Sequence, residues 1–187
     1  MHRDFPKSAQ EFLERGESFR AGSRATKGRL PVPDYGWYPY ESLSALELLT
    51  RLIQPVFEEV AEGLASGPVA DIGCADGDLG LFCAHLGGQV DAIDYLESSF
   101  NQMRGIDGLR KALELAVEVH DMDLDGRFQL PRTDYKCHFC MGCLYHASDP
   151  EDVLENLALQ ADRVRLRAPV VRAPPGPPPI VGGASAG

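Results

Sequence analysis

The spacing of hydrophobic and polar positions in the central part of the chain predicts an α/β fold. Short apolar runs at residues 69–72 and 90–93 are typical of strands buried on both faces of a parallel sheet. Between them, apolar residues recur at helical spacing until Gly87 and Gly88 end the predicted helix. The succession of strand, helix and strand predicts one half of a Rossmann-like, doubly wound, mostly parallel sheet.

Similar patterns predict the elements on either side of this unit. Ser44 and Glu47 have the spacing of a capping box, and Gly105 is expected to separate two helices. The predicted helical segments are 9–19, two pieces within 44–60, 98–103, 106–115 and 150–159. The further predicted strands are 116–120, 135–141 and 163–167.

The residues directly after the first predicted strand suggest a ligand site. The segment has the pattern Asp71-x-Gly73-x-Ala75-x-Gly77, and an acid, Asp94, ends the second predicted strand. Glycines at this position let the strand turn sharply and let a ligand approach the backbone. In nucleotide-binding α/β folds an acid at the end of the second strand binds ribose hydroxyls.

Two ligand classes use such a turn. A dinucleotide fold would place glycines where Ala75 and Asp78 stand. The turn instead resembles the D/E-x-G-x-G-x-G motif of class I S-adenosylmethionine (SAM) dependent methyltransferases, with one glycine replaced by alanine. Asp76 and Asp78 favour an uncharged or cationic ligand tail over a pyrophosphate. A turn that binds no ligand is the remaining alternative.

The resemblance implies SAM as the cofactor. By the motif, the residues implied to hold it are Asp71, Gly73, Ala75, Gly77 and Asp94. The end of the third predicted strand serves the adenine in such enzymes, which implies Asp121 and the Met122 backbone. On the residues alone, the polar start of a loop explains Asp121 and Met122 equally well.

A second motif lies at the fourth predicted strand. The spacing Cys137-x-x-Cys140-x-x-Cys143-x-x-His146 is similar to metal-binding patterns. A strand would nevertheless place Cys137 and Cys140 on opposite faces, and buried free cysteine is a common small hydrophobic residue. We therefore predict no metal site here.

The same stretch is similar to a methyltransferase subgroup that includes the tRNA wobble-uridine carboxymethyltransferases. The shared features are a glycine, an apolar pair, Tyr145-His146, a short gap and Pro150, and the whole resemblance covers about residues 66–159. It implies Tyr145 and His146 as the catalytic candidates, in contact with the substrate. For His146, a histidine bonded to a backbone group is an equal alternative.

The first 41 residues are expected to form an arm and an aromatic loop ahead of a SAM-binding domain at 42–167. Residues 19–30 contain cations and no acid, which suits either a solvated arm or a phosphate contact. These cations are Arg20, Arg24, Lys27 and Arg29. Residues 30–40 combine prolines with four aromatic rings that would either cover a ligand or plug one end of the core.

The composition changes after residue 167. Residues 168–187 hold six prolines and four glycines and no aromatic residue, so this tail is expected to be disordered. The methyltransferase sheet has seven strands, and the predicted strands stop at the fifth. We therefore expect the domain to lack its last strands, as a carboxy-terminally truncated one would.

The amino-acid composition limits the kinds of molecule that the protein is expected to bind. A net charge of −10 argues against a broad nucleic-acid-binding surface. No apolar run approaches the ~20 residues of a membrane span, and five cysteines without a signal peptide suggest a cytoplasmic protein. The predicted function is SAM-dependent methyl transfer to a small molecule or nucleoside. The alternatives are a tRNA (carboxy)methyltransferase, which is not favoured, a non-catalytic SAM-fold protein and a nicotinamide-dependent oxidoreductase.

Overall fold

The structure is a computed structural model that describes residues 5–33 and 36–160. The predicted strand at 163–167 and the predicted disordered tail at 168–187 lie outside the described residues. Within them the helices are α1 (Ala9–Lys27), α2 (Leu46–Ile53), α3 (Phe57–Ser66), α4 (Asp78–His85), α5 (Arg104–Ala112) and α6 (Pro150–Leu159). The strands are β1 (Pro68–Ile72), β2 (Gln89–Asp94), β3 (Val117–Asp121) and β4 (Cys137–Cys140). Short 3-10 turns cover Ser42–Ala45, Gln54–Val56 and Leu144–His146.

The strands described here form one parallel sheet in the order β3-β2-β1-β4. Val69 of β1 pairs with Val90 of β2 on one side and with Cys137 of β4 on the other. The chain therefore changes direction across the sheet at β1, and the carboxyl ends of β1 and β4 flank a topological switch point. This arrangement confirms the predicted α/β, Rossmann-like class.

Hydrophobic cores lie on both faces of the sheet. On one face, Val69 and Val90 pack with buried residues of the first five helices, including Phe82 of α4. On the other face, Ala70 and Ile72 pack with Tyr135 and with residues of α6. Burying β1 on both faces explains why its sequence is apolar except for Asp71, since each large apolar side chain contributes about 1.5–3 kcal/mol when buried.

Helix α1 is longer than the sequence pattern indicated, and it belongs to the main core. Phe12 is fully buried, with its ring 5.0 Å from that of Phe82 and 6.1 Å from that of Phe57. Gly16 is unfavourable inside a helix, but the packing requires it, because a Cβ there would collide with Leu46 of α2. The helix continues to Lys27 because its second half also packs on the domain.

The predicted capping box does not form. The Ser44 hydroxyl donates backward to the carbonyl of Glu41 at 2.6 Å, inside the 3-10 turn that precedes α2. Helix α2 then begins at Leu46, and no side chain caps it. The local bond to Glu41 removes the hydroxyl that the capping box would have used.

The glycine expected to separate two helices lies inside one of them. Helix α5 begins at Arg104, so Gly105 occupies its first turn. A Cβ at Gly105 would collide with Asp76 and Asn101. The glycine is therefore needed for close packing, and the helix predicted over 98–103 is a series of turns instead.

The last described helix matches its prediction. Helix α6 spans Pro150–Leu159, and the carboxylate of Asp149 accepts from the backbone N–H groups of Glu151 and Asp152. Pro150 suits the first helical position, because its ring presets the backbone and its missing N–H is not needed there. None of the helices over 5–33 and 36–160 is both long and apolar enough to cross a bilayer.

Candidate functional site

The turn after β1 positions the site. The backbone N–H groups of Gly73 and Cys74 donate to the carbonyl of Ile93 at 2.8 and 3.2 Å, which ties the turn to the end of β2. Gly73 and Gly77 have left-handed backbones, with φ of +67° and +76°. Gly77 immediately precedes α4, so the turn leads directly into the amino end of a helix.

Protein side chains occupy the space beside both glycines. A Cβ at Gly73 would collide with Cys143, which follows β4, and a Cβ at Gly77 would collide with Ile106 of α5. The left-handed backbones fit the sharp turn that was expected at these glycines. The absence of a Cβ at each glycine also lets a neighbouring segment of the chain pack closely and close the turn.

Ala75 and Asp94, two of the residues implied to hold the cofactor, are hydrogen-bonded to each other at this turn. The N–H of Ala75 donates to Asp94 Oδ2 at 3.1 Å, and the N–H of Tyr95 donates to Asp94 Oδ1 at 2.9 Å. Burial raises the pKa of Asp94, while the bonds from Tyr95 and Ala75 and the nearby His146 oppose that rise. The partly buried carboxylate therefore lies between the turn and the crevice, with its orientation fixed by two backbone donors.

Asp71 is placed differently from the other motif residues. Its side chain is only 3 % exposed, and its Oδ2 accepts from the N–H of Gly80 in α4 at 2.9 Å. Burial, and to a smaller extent the charges of Asp78 and Asp94, raise its pKa to about 7. A carboxylate so enclosed cannot touch a ligand in the crevice. Asp71 therefore anchors α4 to the sheet, which corrects its implied role as a direct ligand contact.

Asp121 and Met122 lie beside Asp94 at the end of β3. Asp121 pairs in register with Asp94, and its Oδ1 accepts from the N–H of Leu96 at 2.8 Å. The N–H of Met122 donates to the carbonyl of Asp94 at 2.9 Å. The structure thus brings these residues to the expected edge, but the amide hydrogen of Met122 is already engaged with β2.

Aromatic side chains lie near Asp94. The Tyr38 ring lies 6.0 Å from that of Phe100, and burial followed by the nearby Tyr145 and Asp94 raises the pKa of Tyr38. The rings of Tyr145 and His146 lie 4.0 Å apart, directly after β4, and Tyr145 is 67 % exposed. Tyr38 therefore joins the predicted pair Tyr145 and His146 in one crevice.

Tyr38 and Phe100 were not predicted as site residues. Tyr38 reaches the crevice because its backbone N–H donates to Asp76 Oδ2 at 2.9 Å, which attaches the aromatic loop to the turn. The composition of residues 30–40 indicated a covering loop or a core plug. Trp37 packs against the main core, which agrees with the core plug, while Tyr38 lies near Asp94.

A buried charge cluster holds α1 to the turn. Lys27 Nζ lies 3.1 Å from Asp76 Oδ2 and 3.2 Å from Asp78 Oδ1. Asn101 donates to Asp76 Oδ1 at 2.8 Å, and Lys27 lies 5.6 Å from the centre of the Trp37 ring. Lys27 therefore balances one of the two negative charges, so the charge of Asp76 and Asp78 that was expected to disfavour a pyrophosphate is partly compensated within the protein.

The neighbouring arginines are also paired within the protein. Arg20 Nε lies 3.0 Å and Arg24 Nη2 2.7 Å from Glu41 Oε2. Arg29 donates to the Thr26 hydroxyl at 3.3 Å. A groove of about 430 Å³ lies between α1 and the aromatic loop, lined by these two Glu41-bound arginines and by aromatic rings. The basic stretch is therefore a packed helix with internal ion pairs, and not a solvated arm.

The cysteine motif is divided between the two cores. Cys137 packs on one face of the sheet and Cys140 on the other, which confirms the predicted opposition of their side chains. Burial raises the pKa of the Cys137 thiol, and a bond with Cys143 followed by burial raises that of Cys140. Because their side chains lie on opposite faces of the sheet, Cys137 and Cys140 cannot bind one ion together.

Comparisons with known proteins find similarity among solved structures and none among family models or curated proteins. No family model matches the chain, and no curated protein matches it significantly. Among solved structures, EvdMO1 is similar at 19% identity and a TM-score of 0.48, over 74% of this chain and 32% of EvdMO1. The N-terminal domain of EvdMO1 with SAH bound is similar at 20% identity and a TM-score of 0.38, over 74% of this chain and 60% of that domain. The chain thus spans about a third of EvdMO1 and three fifths of that domain.

Proposed function

We propose that the chain is a SAM-dependent methyltransferase domain that binds SAM at the carboxyl edge of β1, β2 and β3. The contact between Asp94 and the turn residue Ala75, at a topological switch point, carries this proposal. An acid in that position reaches the ribose hydroxyls of an adenosine-containing ligand. The turn has the methyltransferase pattern and lacks the glycines that a pyrophosphate requires.

The residues around the crevice would perform distinct tasks. SAM, when bound, supplies a methyl group on a sulfonium, which is already a good leaving group. The protein must then hold the acceptor in line, about 3 Å from that methyl, and exclude water. The rings of Tyr38, Phe100 and Tyr145 would form the walls that exclude water and contact a planar acceptor.

The same crevice would also contain the group that removes a proton from the acceptor. The raised pKa of Tyr38 keeps its hydroxyl protonated at neutral pH, so it would donate a hydrogen bond and would not act as a base. His146 lies close enough to Asp94 to influence its pKa. We propose His146 as the general base for an acceptor that starts protonated, and Tyr145 as its positioning neighbour.

The acceptor that we propose is a small molecule or nucleoside, and not tRNA. A tRNA site needs cations that face phosphates. Arg20 and Arg24 are bound to Glu41, and Lys27 is bound to Asp76 and Asp78. Carboxymethyl transfer would also require a cation opposite the transferred carboxylate, and Lys27, which packs on the turn, is already neutralised.

Calorimetry with SAM, SAH and NAD tests the cofactor. Asp94→Ala should weaken SAM and SAH roughly 10- to 150-fold, the equivalent of 1.5–3 kcal/mol for bonds to a charged group. Glu155→Ala, which removes the same charge from an exposed position on α6, should change nothing. Equal affinity in both variants would refute the site, and preferential NAD binding would support the oxidoreductase alternative.

Turnover separates the enzyme from a non-catalytic SAM-binding protein. Formation of SAH from SAM should appear with a suitable acceptor from a panel of small molecules and nucleosides. His146→Gln should then lower kcat while SAM affinity is retained. SAM binding that never leads to SAH, across acceptors from several chemical classes, would favour the non-catalytic alternative.

Binding of tRNA at low and moderate salt tests the acceptor class. We expect weak binding that does not change when Arg20, Arg24 and Arg29 are replaced by Ala together. Lys27 is left intact in this variant because it is buried in the charge cluster. Tight, salt-sensitive binding that disappears in the triple variant would replace the small-molecule proposal with a tRNA substrate.

A further inference from the structure

Asp91 is a carboxylate in the middle of a buried strand. It lies on β2, is only 1 % exposed, and shares its sheet face with Ile93, opposite the face of Ala92. The hydroxyl of Tyr135, itself fully buried, donates to Asp91 Oδ2 at 2.5 Å. The other oxygen, Oδ1, is buried without a hydrogen-bond partner among the described residues. An unsatisfied carboxylate oxygen at such a depth is costly, so it needs an explanation.

The adjacent strand β3 places two more ligating groups beside this oxygen. Glu118 pairs directly with Asp91, and His120 pairs with Ile93, the next residue on the same face. His120 Nε2 lies 3.5 Å from Asp91 Oδ1 and 3.9 Å from Glu118 Oε2. This imidazole nitrogen is also buried without a hydrogen-bond partner in the described part of the chain.

The distances suit a shared ion better than direct hydrogen bonds. One ligand atom from each of Asp91, Glu118 and His120 lies within 4.8 Å of the others. Hydrogen bonds to a ring nitrogen are about 2.7–3.2 Å long. Around a tetrahedral zinc ion with bonds of roughly 2.0–2.2 Å, neighbouring ligand atoms are about 3.3–3.6 Å apart. The three groups are thus nearly spaced for coordination.

We propose that Asp91, Glu118 and His120 form a binding site for a divalent transition metal, with zinc as the favoured ion. One imidazole and two carboxylates supply neutralising charge and the mixed nitrogen and oxygen ligands that zinc accepts. Tyr135 orients Asp91 from behind, in the way that groups around metal ligands hold them in place. The exposed Glu118 side chain, 74 % accessible, provides the path of entry.

The position of the proposed metal site indicates a role in stabilising the fold. Asp91 and His120 lie on the sheet face opposite Asp94, the residue that we propose for the cofactor. The ion would connect β3, a strand at the edge of the described sheet, to β2 beside it. The metal would therefore stabilise the strand pair and would take no part in methyl transfer.

Titration of the metal-free chain with Zn²⁺ and Co²⁺ tests the proposal. We expect binding of one ion per chain by calorimetry, and a visible Co²⁺ spectrum without the near-ultraviolet band of a thiolate ligand. Glu118→Gln and His120→Gln should each weaken Zn²⁺ at least about tenfold, since each removes a ligand. Glu118 is exposed, so its variant should fold normally.

Matched controls exclude other zinc-binding groups. His146→Gln changes an exposed histidine elsewhere, and Cys143→Ser changes the most accessible thiol of the cysteine motif. Both variants should keep the wild-type Zn²⁺ affinity. Zinc should also raise the unfolding temperature of the wild type and of these controls, but not that of His120→Gln.

Two results would overturn the proposal. One is the absence of saturable binding at one ion per folded chain, which would leave the contact between His120 and Asp91 as an interaction within the protein alone. The other is binding that survives in Glu118→Gln and His120→Gln but is lost in Cys143→Ser or His146→Gln. That second result would assign the ion to the cysteine motif.

Discussion

At the scale of single residues, Ala75 combines a motif position with a strained backbone. Its φ of +51° lies in the left-handed region, which costs a residue with a Cβ about 1–2 kcal/mol relative to glycine. Ala75→Gly should therefore raise the free energy of unfolding by about 1 kcal/mol, after the greater freedom of glycine in the unfolded chain is subtracted. Urea denaturation measures this change.

An alanine in ordinary helical conformation provides the control for Ala75. Ala21 is exposed within α1, and Ala21→Gly should lower the free energy of unfolding by about 1 kcal/mol. The two substitutions are chemically identical, so their opposite signs isolate the backbone. If Ala75→Gly were destabilising to the same degree, the strain at this turn would be disproved.

Asp71 should make the stability depend on pH. Its folded pKa of about 7 lies above its ordinary value of 3.8, so the folded state holds the proton more tightly. The free energy of unfolding should therefore fall as pH rises from about 4 to about 7, by at most ~1.4 kcal/mol per pH unit. Chemical denaturation across this range, with Asp71→Asn for comparison, measures the effect.

The variant Asp71→Asn separates the ionisation of Asp71 from its hydrogen bond to Gly80. An asparagine oxygen can still accept from Gly80 but does not ionise, so the difference in stability between wild type and Asp71→Asn should change across pH 4–7. Glu155→Gln, at an exposed position, should show no such change. A difference that grows only below pH 4 would mean that the folded pKa of Asp71 is lowered.

At the scale of elements, the docking of α1 can be tested with two glycines of the same helix. A Cβ at Gly16 would press on the buried Leu46, whereas a Cβ at Gly22 meets nothing within 4 Å. Gly16→Ala should lower the free energy of unfolding by roughly 1–2 kcal/mol. Gly22→Ala should raise it by about 0.5–1 kcal/mol. An increase in the free energy of unfolding in both variants would show that α1 does not pack on α2 as described.

The charge cluster is the second attachment of α1. Lys27→Met leaves the carboxylates of Asp76 and Asp78 buried without a counter-charge, which should cost about 3–5 kcal/mol of unfolding free energy. The double change Lys27→Met with Asp78→Asn should recover part of this loss. Arg24→Met at the exposed pair with Glu41 should have a much smaller effect.

Thermal melting of these three variants measures the order of the effects. The expected order of melting temperatures, from lowest to highest, is Lys27→Met, the double variant and Arg24→Met. Equal melting temperatures for Lys27→Met and Arg24→Met would show that the buried cluster contributes no more than the exposed pair.

The boundaries of helices and strands were predicted correctly where they depend only on the burial of the segment. β1 and β2 lie within one residue of their predictions at each end, because an apolar strand between two cores tolerates few polar residues. The start of α5 and the role of Gly105 were predicted wrongly, since both depend on packing against Asp76. A glycine that permits close packing and one that breaks a helix are identical in sequence.

At the scale of the whole molecule, the predictable part of the site was the part determined by topology. Parallel strands end at one edge, so the turn after β1 was expected to meet Asp94, and the two are hydrogen-bonded. The pairing of Lys27 with Asp76 joins residues far apart in sequence, and no local pattern encodes it. Asp91 did carry a signal that was overlooked, as an acid within an apolar strand.

The pairing of Lys27 with the turn also determines how the chain can be divided. A fragment that begins at residue 42, the predicted domain boundary, would lose Phe12 from the core and the counter-ion of Asp76. The smallest piece that folds alone should therefore include α1. Conversely, a chain cut within residues 28–33 should reassemble from its two parts. The affinity of those parts for each other would then report whether the turn is correctly formed.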